Sequence, residues 1–227
     1  MRRLPLLALA LLLLGSCRST GPDGATVSRA DVLSTARSYT ALTWQAEKRH
    51  ALHGTAPDGQ RIDTPDALHP HTTQPGFWWK TGTNTGMPYK WGGFDTPEEF
   101  TRRMAAETVV YAGDYASADK VRGGDDAVSR YAAGIDCSGL VSRCWGLPRP
   151  YSTRELPGIC TPLSSLEDLR LGEHVQLLVR WEDEEHTRYR AIEAAGVPEW
   201  RCLETIYRRD ALTATRGFTP WRYKSIR

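Results

Sequence analysis

Cysteine is scarce in this chain, with five thiols in 227 residues. Small exported domains that rely on disulfides carry them far more densely, so a disulfide scaffold is excluded. An excess of one charge is missing too. Lys and Arg number 29 against 27 Asp and Glu, and Arg2 and Arg3 alone account for the difference. A nucleic-acid-binding face needs clustered basic charge, so no nucleic-acid partner is expected. The chain also lacks the run of roughly 20 apolar residues that a membrane-spanning helix requires. Its longest apolar stretch, residues 4–14, is shorter and is interrupted by Pro5. What remains is ample for one domain with a buried core.

The stretch at residues 4–14 is informative in another way. Arg2 and Arg3 precede it, and Gly15, Ser16 and Cys17 follow it. A basic start, a short apolar segment and small residues before a cleavage point describe an export signal. The tetrad Leu14-Gly15-Ser16-Cys17 resembles a bacterial lipobox, in which cleavage precedes a cysteine that then carries lipid. Residues 1–16 are therefore expected to be a lipoprotein signal peptide, with Cys17 as the lipidation site. Several acyl chains hold a protein to a membrane where a single chain does so only marginally. Arg18 stands where an aspartate would signal inner-membrane retention, which favours the periplasmic face of the outer membrane. Residues 17–27, with Gly21, Pro22 and Gly24, read as a flexible tether.

Residues 28–85 form an N-terminal region. Ser28 can cap a helix whose apolar positions Val32, Leu33, Ala36 and Tyr39 predict helix to about His50. Residues 53–76 are rich in Gly, Pro, Asp and Thr and read as a long loop. His50, His53, His69 and His71 lie in or beside it, but no recognised ligand spacing supports a metal there. Further on, Thr96, Pro97 and Glu99 make a capping box with proline at the first helical position, predicting helix to about Glu107. A short helix is expected over 125–132.

Residues 134–146 carry the chemistry. Cys137, Leu140, Val141 and Cys144 fall at i, i+3, i+4 and i+7, so they share one helix face. Asp136 is a good N-cap, and Gly146 followed by Pro148 ends the helix. Cys137 thus sits in the first turn, where unpaired N–H groups and the helix dipole favour a thiolate, the nucleophilic form. The same N–H groups can receive a developing oxyanion. Cys144, two turns on, reads as an inert core residue.

The string Asp136-Cys137-Ser138-Gly139-Leu140-Val141 resembles the signature of the NlpC family of bacterial cell-wall cysteine peptidases. The upstream Pro88-Tyr89-Lys90-Trp91-Gly92-Gly93 also resembles that family, and the likeness spans roughly residues 86–195. It implies an α+β, papain-like fold with the cysteine helix packed on a small antiparallel sheet. It also implies a catalytic order of cysteine, histidine and polar orienting residue. The matching histidine is His174, at the start of an apolar strand-like run to Trp181. The matching third residue is Glu193, on a following strand of about 189–194. The resemblance further implies that Tyr89 shapes the site and that Asp136 and Ser138 contact the free amine of a peptidoglycan peptide.

The sequence departs from the family pattern in two places. Residues 94–134 form an insertion within the 86–227 domain, and the strand that usually precedes the histidine is missing before His174. His186, in a charged segment that reads as a hairpin turn, is the weaker alternative base. Cys160 and Cys202 are available to pair, and sequence leaves that open. The reading is therefore an exported, membrane-anchored, monomeric hydrolase of peptidoglycan amide bonds that needs no cofactor. An amidase or transacylase, or a catalytically impaired binding lipoprotein of the same fold, stands as the alternative.

Overall fold

A computed structural model describes residues 26–67, 77–163, 175–210 and 220–227. Among these residues no helix is long and apolar enough to cross a membrane. Cys17, His69, His71 and His174 lie outside them. Among the described residues the architecture is mixed α and β, with α-helices and small, mostly antiparallel sheets.

Helix α1 covers Arg29–Thr40. Ser28 caps it, its hydroxyl oxygen accepting from the Asp31 N–H at 3.0 Å. The helix buries Val32, Ala36 and Tyr39. It stops ten residues short of the expected His50, because strand β1, Thr43–Ala46, begins at once. Trp44 decides this switch from helical to strand spacing. It is buried against Trp79 and Phe100 with ring centroids 5.7 and 5.3 Å away. Its indole N–H donates to the Gly86 carbonyl at 3.0 Å. A buried indole with a satisfied donor outweighs local helix preference.

The expected loop at 53–76 holds a hairpin instead, at least over its described part. Strands β2, His53–Thr55, and β3, Arg61–Asp63, pair antiparallel. Gly59, at a φ of 83°, supplies the left-handed residue of the turn. The strands β4, Gly82–Thr85, and β1 form a second antiparallel pair.

Helix α2 is Pro97–Ala105, with the capping box formed as expected by Thr96 and Glu99. Beyond it come strand β5, Tyr111–Ala112, helix α3, Ala118–Gly123, and strand β6, Ala132–Ala133, which pairs with β5 in parallel. The short helix expected over 125–132 is only a 3₁₀ turn at Gly124–Ala127. Helix α4 is Cys137–Cys144. Strand β7 is Cys160–Pro162, followed by β8 at Leu177–Trp181, β9 at Arg188–Ala194, β10 at Cys202–Arg208 and β11 at Trp221–Tyr223.

The main sheet runs β10-β9-β8, all antiparallel. One face of it joins the largest core. Leu177, Ile192, Ala194 and Cys202 meet Val32, Ala36 and Tyr39 of α1 and Leu140, Val141 and Cys144 of α4. Each large apolar side chain so buried contributes about 1.5–3 kcal/mol. Cys160 and Cys202 do not pair. Both are free thiols, the first opposite Tyr223 in the β7–β11 pair and the second opposite Ala194 in the main sheet.

The histidines at 50 and 53 are not solvated loop residues. His50 is buried, and its Nδ1 accepts from the Glu47 N–H at 3.1 Å. Burial holds it below the ordinary imidazole range, so it is neutral. His53 lies 2.7 Å from Asp66 and 3.6 Å from Asp63. Burial pushes its pKa down, but hydrogen bonds to these carboxylates and their charges outweigh burial and raise it to about 9. Among the described residues no cluster is arranged to hold a metal ion.

A folded-state pKa above the unfolded value of about 6.5 stabilises the fold fully below that pH. The stabilisation is lost as pH rises through about 9. His53→Gln should therefore lower stability at pH 6 by about 1–3 kcal/mol. In urea denaturation series the gap between His53→Gln and the parent should close by pH 10. A gap independent of pH would show that the imidazolium is not what holds the hairpin.

Candidate active site

The cysteine helix is placed by two backbone approaches. The segment 87–90 continues the main sheet beyond β10. The Cys202 N–H donates to the Met87 carbonyl at 2.8 Å, and the Tyr89 N–H to the Trp200 carbonyl at 2.9 Å. On its other side the Lys90 N–H donates to the Ile135 carbonyl at 3.1 Å, and the Ile135 N–H to the Pro88 carbonyl at 3.2 Å. Residue 135 is thereby fixed next to Tyr89, two residues before Cys137.

The second approach is closer. A Cβ on Gly139 would stand 2.1 Å from the Gly93 carbonyl oxygen. The Asp136 N–H donates to that same carbonyl at 3.3 Å. The first turn of α4 thus lies directly on the turn that ends Tyr89-Lys90-Trp91-Gly92-Gly93, and only glycine at 139 permits it. The two segments singled out in the sequence interlock through backbone.

Asp136 caps the helix. One carboxylate oxygen accepts from the Gly139 N–H at 2.6 Å and from the Ser138 hydroxyl at 3.0 Å. Burial raises the Asp136 pKa, while these hydrogen bonds and the Lys90 charge work against that rise. Asp136 and Ser138 are therefore engaged with each other and with the helix end. Arg143, on the next turns, donates to the Phe94 carbonyl at 2.8 and 2.6 Å and to Glu99 at 3.0 Å. Glu99 also accepts from the Thr96 N–H at 2.7 Å, so the N-terminus of α2 is tied to the cysteine helix. Arg103 carries the tie further, with Asp95 at 2.7 Å and the carbonyls of Arg130 and Ala132. Arg143 thus ties residues 94 and 99 to α4, and Arg103 ties residue 95 to residues 130 and 132 within the 94–134 stretch.

Cys137 is the first residue of α4 and is 6 % exposed. Tyr89 is close enough for charge on Cys137 and Asp136 to add to its desolvation, and together they hold its pKa well above the usual phenol value. It remains a hydroxyl, able to donate. Its ring meets Trp200 edge-on at 5.4 Å, and Trp200 meets Tyr115 at 5.3 Å. Lys90, 7 % exposed, lies on the other side of the segment. Burial lowers its pKa while Asp95, Asp114 and Asp136 oppose that effect. Cys144 is buried, and desolvation pushes its thiol far up, as expected of an inert core residue.

Glu193 sits on β9. Side chains alternate across a strand, and the unbroken β9–β10 register puts Glu193 opposite Leu203. Its neighbours Ile192 and Ala194 face α4 in the core. Glu193 therefore points to the other face of the sheet, where the Tyr207 hydroxyl donates to it. With Leu203, Thr205, Tyr207 and the 195–199 turn it lines a cavity of about 370 Å³. His174, which Glu193 is expected to orient, lies outside the described residues. His186, the alternative base, is stacked on Trp181 at 4.6 Å. It sits in the β8–β9 turn, at the far end of β9 from Ala194, six residues and about 20 Å along the strand.

Sequence reasoning passed over Trp200 and Arg143. Trp200 has a φ of 47°. For a bulky residue this left-handed conformation costs about 1–2 kcal/mol. Its carbonyl accepts from both the Tyr89 N–H and the Trp78 indole. Its own buried indole N–H has no hydrogen-bond partner among the described residues. A buried donor left unpaired costs about 1–3 kcal/mol. Neither residue stands in a spacing pattern that marks it.

Comparison with known proteins gives no match: no family model, no curated protein and no solved structure corresponds to this chain.

The Gly139–Gly93 contact is testable by itself. Gly139→Ala should destabilise by about 1–3 kcal/mol, as overpacking does. Gly158→Ala, where an added Cβ meets nothing within 4 Å, should be neutral within about 0.5 kcal/mol. Chemical denaturation of both variants compares them, and equal stabilities would rule out the close approach.

Proposed function

We propose that this chain is a thiol hydrolase of the bacterial cell envelope that cleaves amide bonds in peptidoglycan peptides. Its domain is read as papain-like and of the NlpC kind. The observation that supports this most is Cys137 in the first turn of a capped helix, beside the buried hydroxyl of Tyr89. In this reading the Cys137 thiolate attacks the amide carbonyl carbon, and the carbonyl oxygen takes up negative charge near the N–H groups of the first turn. His174 holds the thiol proton and passes it to the leaving amine. The C–N bond breaks, an acyl-thioester remains, and water resolves it with His174 as base. Glu193, on β9 opposite Leu203, orients the His174 imidazole in this scheme. Asp136 and Ser138 contribute by fixing the helix end, with substrate contact a further role that the resemblance implies.

The export signal and Cys17 place the enzyme, in the same reading, on a lipid anchor at the periplasmic face of the outer membrane. It acts as a monomer, without a nucleic-acid partner, and thiol acyl transfer requires no cofactor. One observation favours a second reading. Cys137 is only 6 % exposed, as a core residue of a non-catalytic binding lipoprotein would be.

Digestion of purified peptidoglycan, with product masses measured, separates these readings. The parent protein should release peptides with one new carboxylate and one new amine. Cys137→Ser should release none, and His174→Ala should be slower by roughly 10²–10⁴-fold. Peptides joined to a new acceptor would indicate a transacylase. Release that survives Cys137→Ser, or no release from the parent, contradicts the proposal.

A further inference from the structure

The segment 27–29 is stitched to the segment 225–227 by main chain. The Val27 N–H donates to the Ser225 carbonyl at 2.9 Å, the Arg227 N–H to the Val27 carbonyl at 2.9 Å, and the Arg29 N–H to the Arg227 carbonyl at 3.2 Å. Arg29 and Arg227 are thereby neighbours, and both are exposed. Arg222, on β11, and Lys224, just beyond it, are exposed as well, while Tyr223 between them is buried, so the two share the outer side of the strand. The Lys224 Nζ donates to the Gly158 carbonyl at 3.0 Å, an uncharged acceptor.

Four cations gather here, and the segments 27–31 and 221–227 set one carboxylate side chain, Asp31, against them. Several exposed arginines elsewhere are paired: Arg37 with Glu204, Arg49 with Glu47, Arg122 with Asp119 and Arg188 with Asp183. Arg29, Arg222 and Arg227 form no ion pair among the described residues. A local surplus of unpaired cations on a chain of nearly balanced charge attracts anions. Val27, in the middle of this face, is ten residues from Cys17, at most about 35 Å of extended chain. So short a link makes contact with the surface that holds Cys17 intramolecular, and weak attraction then suffices. Helix α4 separates this face from the cysteine. Trp145, at its C-cap, stacks on Tyr223 at 4.6 Å, and Cys137 lies at the other end, about 12 Å back along the axis.

We propose that Arg29, Arg222, Lys224 and Arg227 form a docking face for the anionic phospholipid headgroups of a bilayer. This rests on the lipid-anchored reading, in which Cys17 holds the chain to a membrane. Headgroup phosphates accept hydrogen bonds from ammonium and guanidinium groups, and arginine grips them with two parallel bonds. Each Lys or Arg close to an anionic surface strengthens partition by about fivefold. The face decides which side of the domain meets the bilayer: the β7–β11 side docks, with Cys137 at the opposite end of α4.

The test uses the chain as it stands after signal cleavage, residues 17–227, with Cys17→Ser so that no lipid is attached. It is sedimented with vesicles of phosphatidylcholine alone and of phosphatidylcholine mixed with phosphatidylglycerol. The parent should partition to the mixed vesicles only, and high salt should release it. Arg222→Gln with Lys224→Gln should weaken that partition at least about tenfold. Lys48→Gln with Arg102→Gln, the same charge change at exposed sites elsewhere, should alter it less than about twofold. If the first pair lowers the melting temperature, Arg29→Gln with Arg227→Gln takes its place. No partition of the parent, or equal loss in both pairs, overturns this inference alone. Sedimentation with purified peptidoglycan that the Arg222 and Lys224 pair weakens, in place of vesicle partition, assigns the face to the cell wall and does the same. A Cys17 found without lipid by mass spectrometry of protein from cell envelopes overturns the anchored reading and this inference with it.

Discussion

The contact between Gly139 and the Gly93 carbonyl sets the geometry on which the rest of the site depends. A helix can reach a turn this closely only where no side chain intervenes. Once the approach is made, the Asp136 N–H bonds to the same carbonyl, and the Asp136 carboxylate closes the helix end on Gly139 and Ser138. Tyr89, held in the extension of the main sheet by Trp200 and Ile135, then lies beside Cys137 without any side-chain bond of its own being required. The site is therefore built by main chain first, which gives it more rigidity than long side chains would.

Charge is distributed around this frame with some care for burial. Lys90 and Asp136 are both removed from bulk water on adjoining segments, and each offsets part of the other's desolvation. Asp114 is a second buried carboxylate, raised by burial to about 6 and held by Lys120 at 2.7 Å. It also accepts from the Asp63 N–H at 3.1 Å, which links the β2–β3 hairpin to the Tyr89 segment. His53 with Asp63 and Asp66 lies at the far end of that link. The hairpin thus belongs to the domain and is no appendage, although its sequence reads as loop.

The local helix signals were legible. Ser28, the Thr96–Glu99 capping box and the Asp136 cap all start helices where their chemistry predicts. The strands at 177–181 and 188–194 also lie where apolar runs suggested. What misled was tertiary. Trp44 draws its segment into a strand because buried aromatic partners await it, and no local pattern contains them. The face of β9 that Glu193 occupies is decided by register, which only the paired β10 supplies. Arg143 and Trp200 act across long chain separations, through Phe94 and Tyr89, and carry no periodic mark. The mixture of helix and strand was therefore readable, whereas the long-range partners that position the cysteine helix were not.

The central claim is that this frame makes Cys137 a nucleophile served by His174, and its reactivity is the most direct measure. Iodoacetamide labelling from pH 5 to 9, with the modified peptide located by mass spectrometry, gives the Cys137 rate at each pH. Cys137 should be labelled rapidly already at mildly acidic pH, while Cys144 and Cys202 stay unlabelled in the folded protein, and His174→Ala should slow Cys137. Labelling that becomes fast only above about pH 8, as for an ordinary free thiol, with no effect of His174→Ala, would contradict the claim.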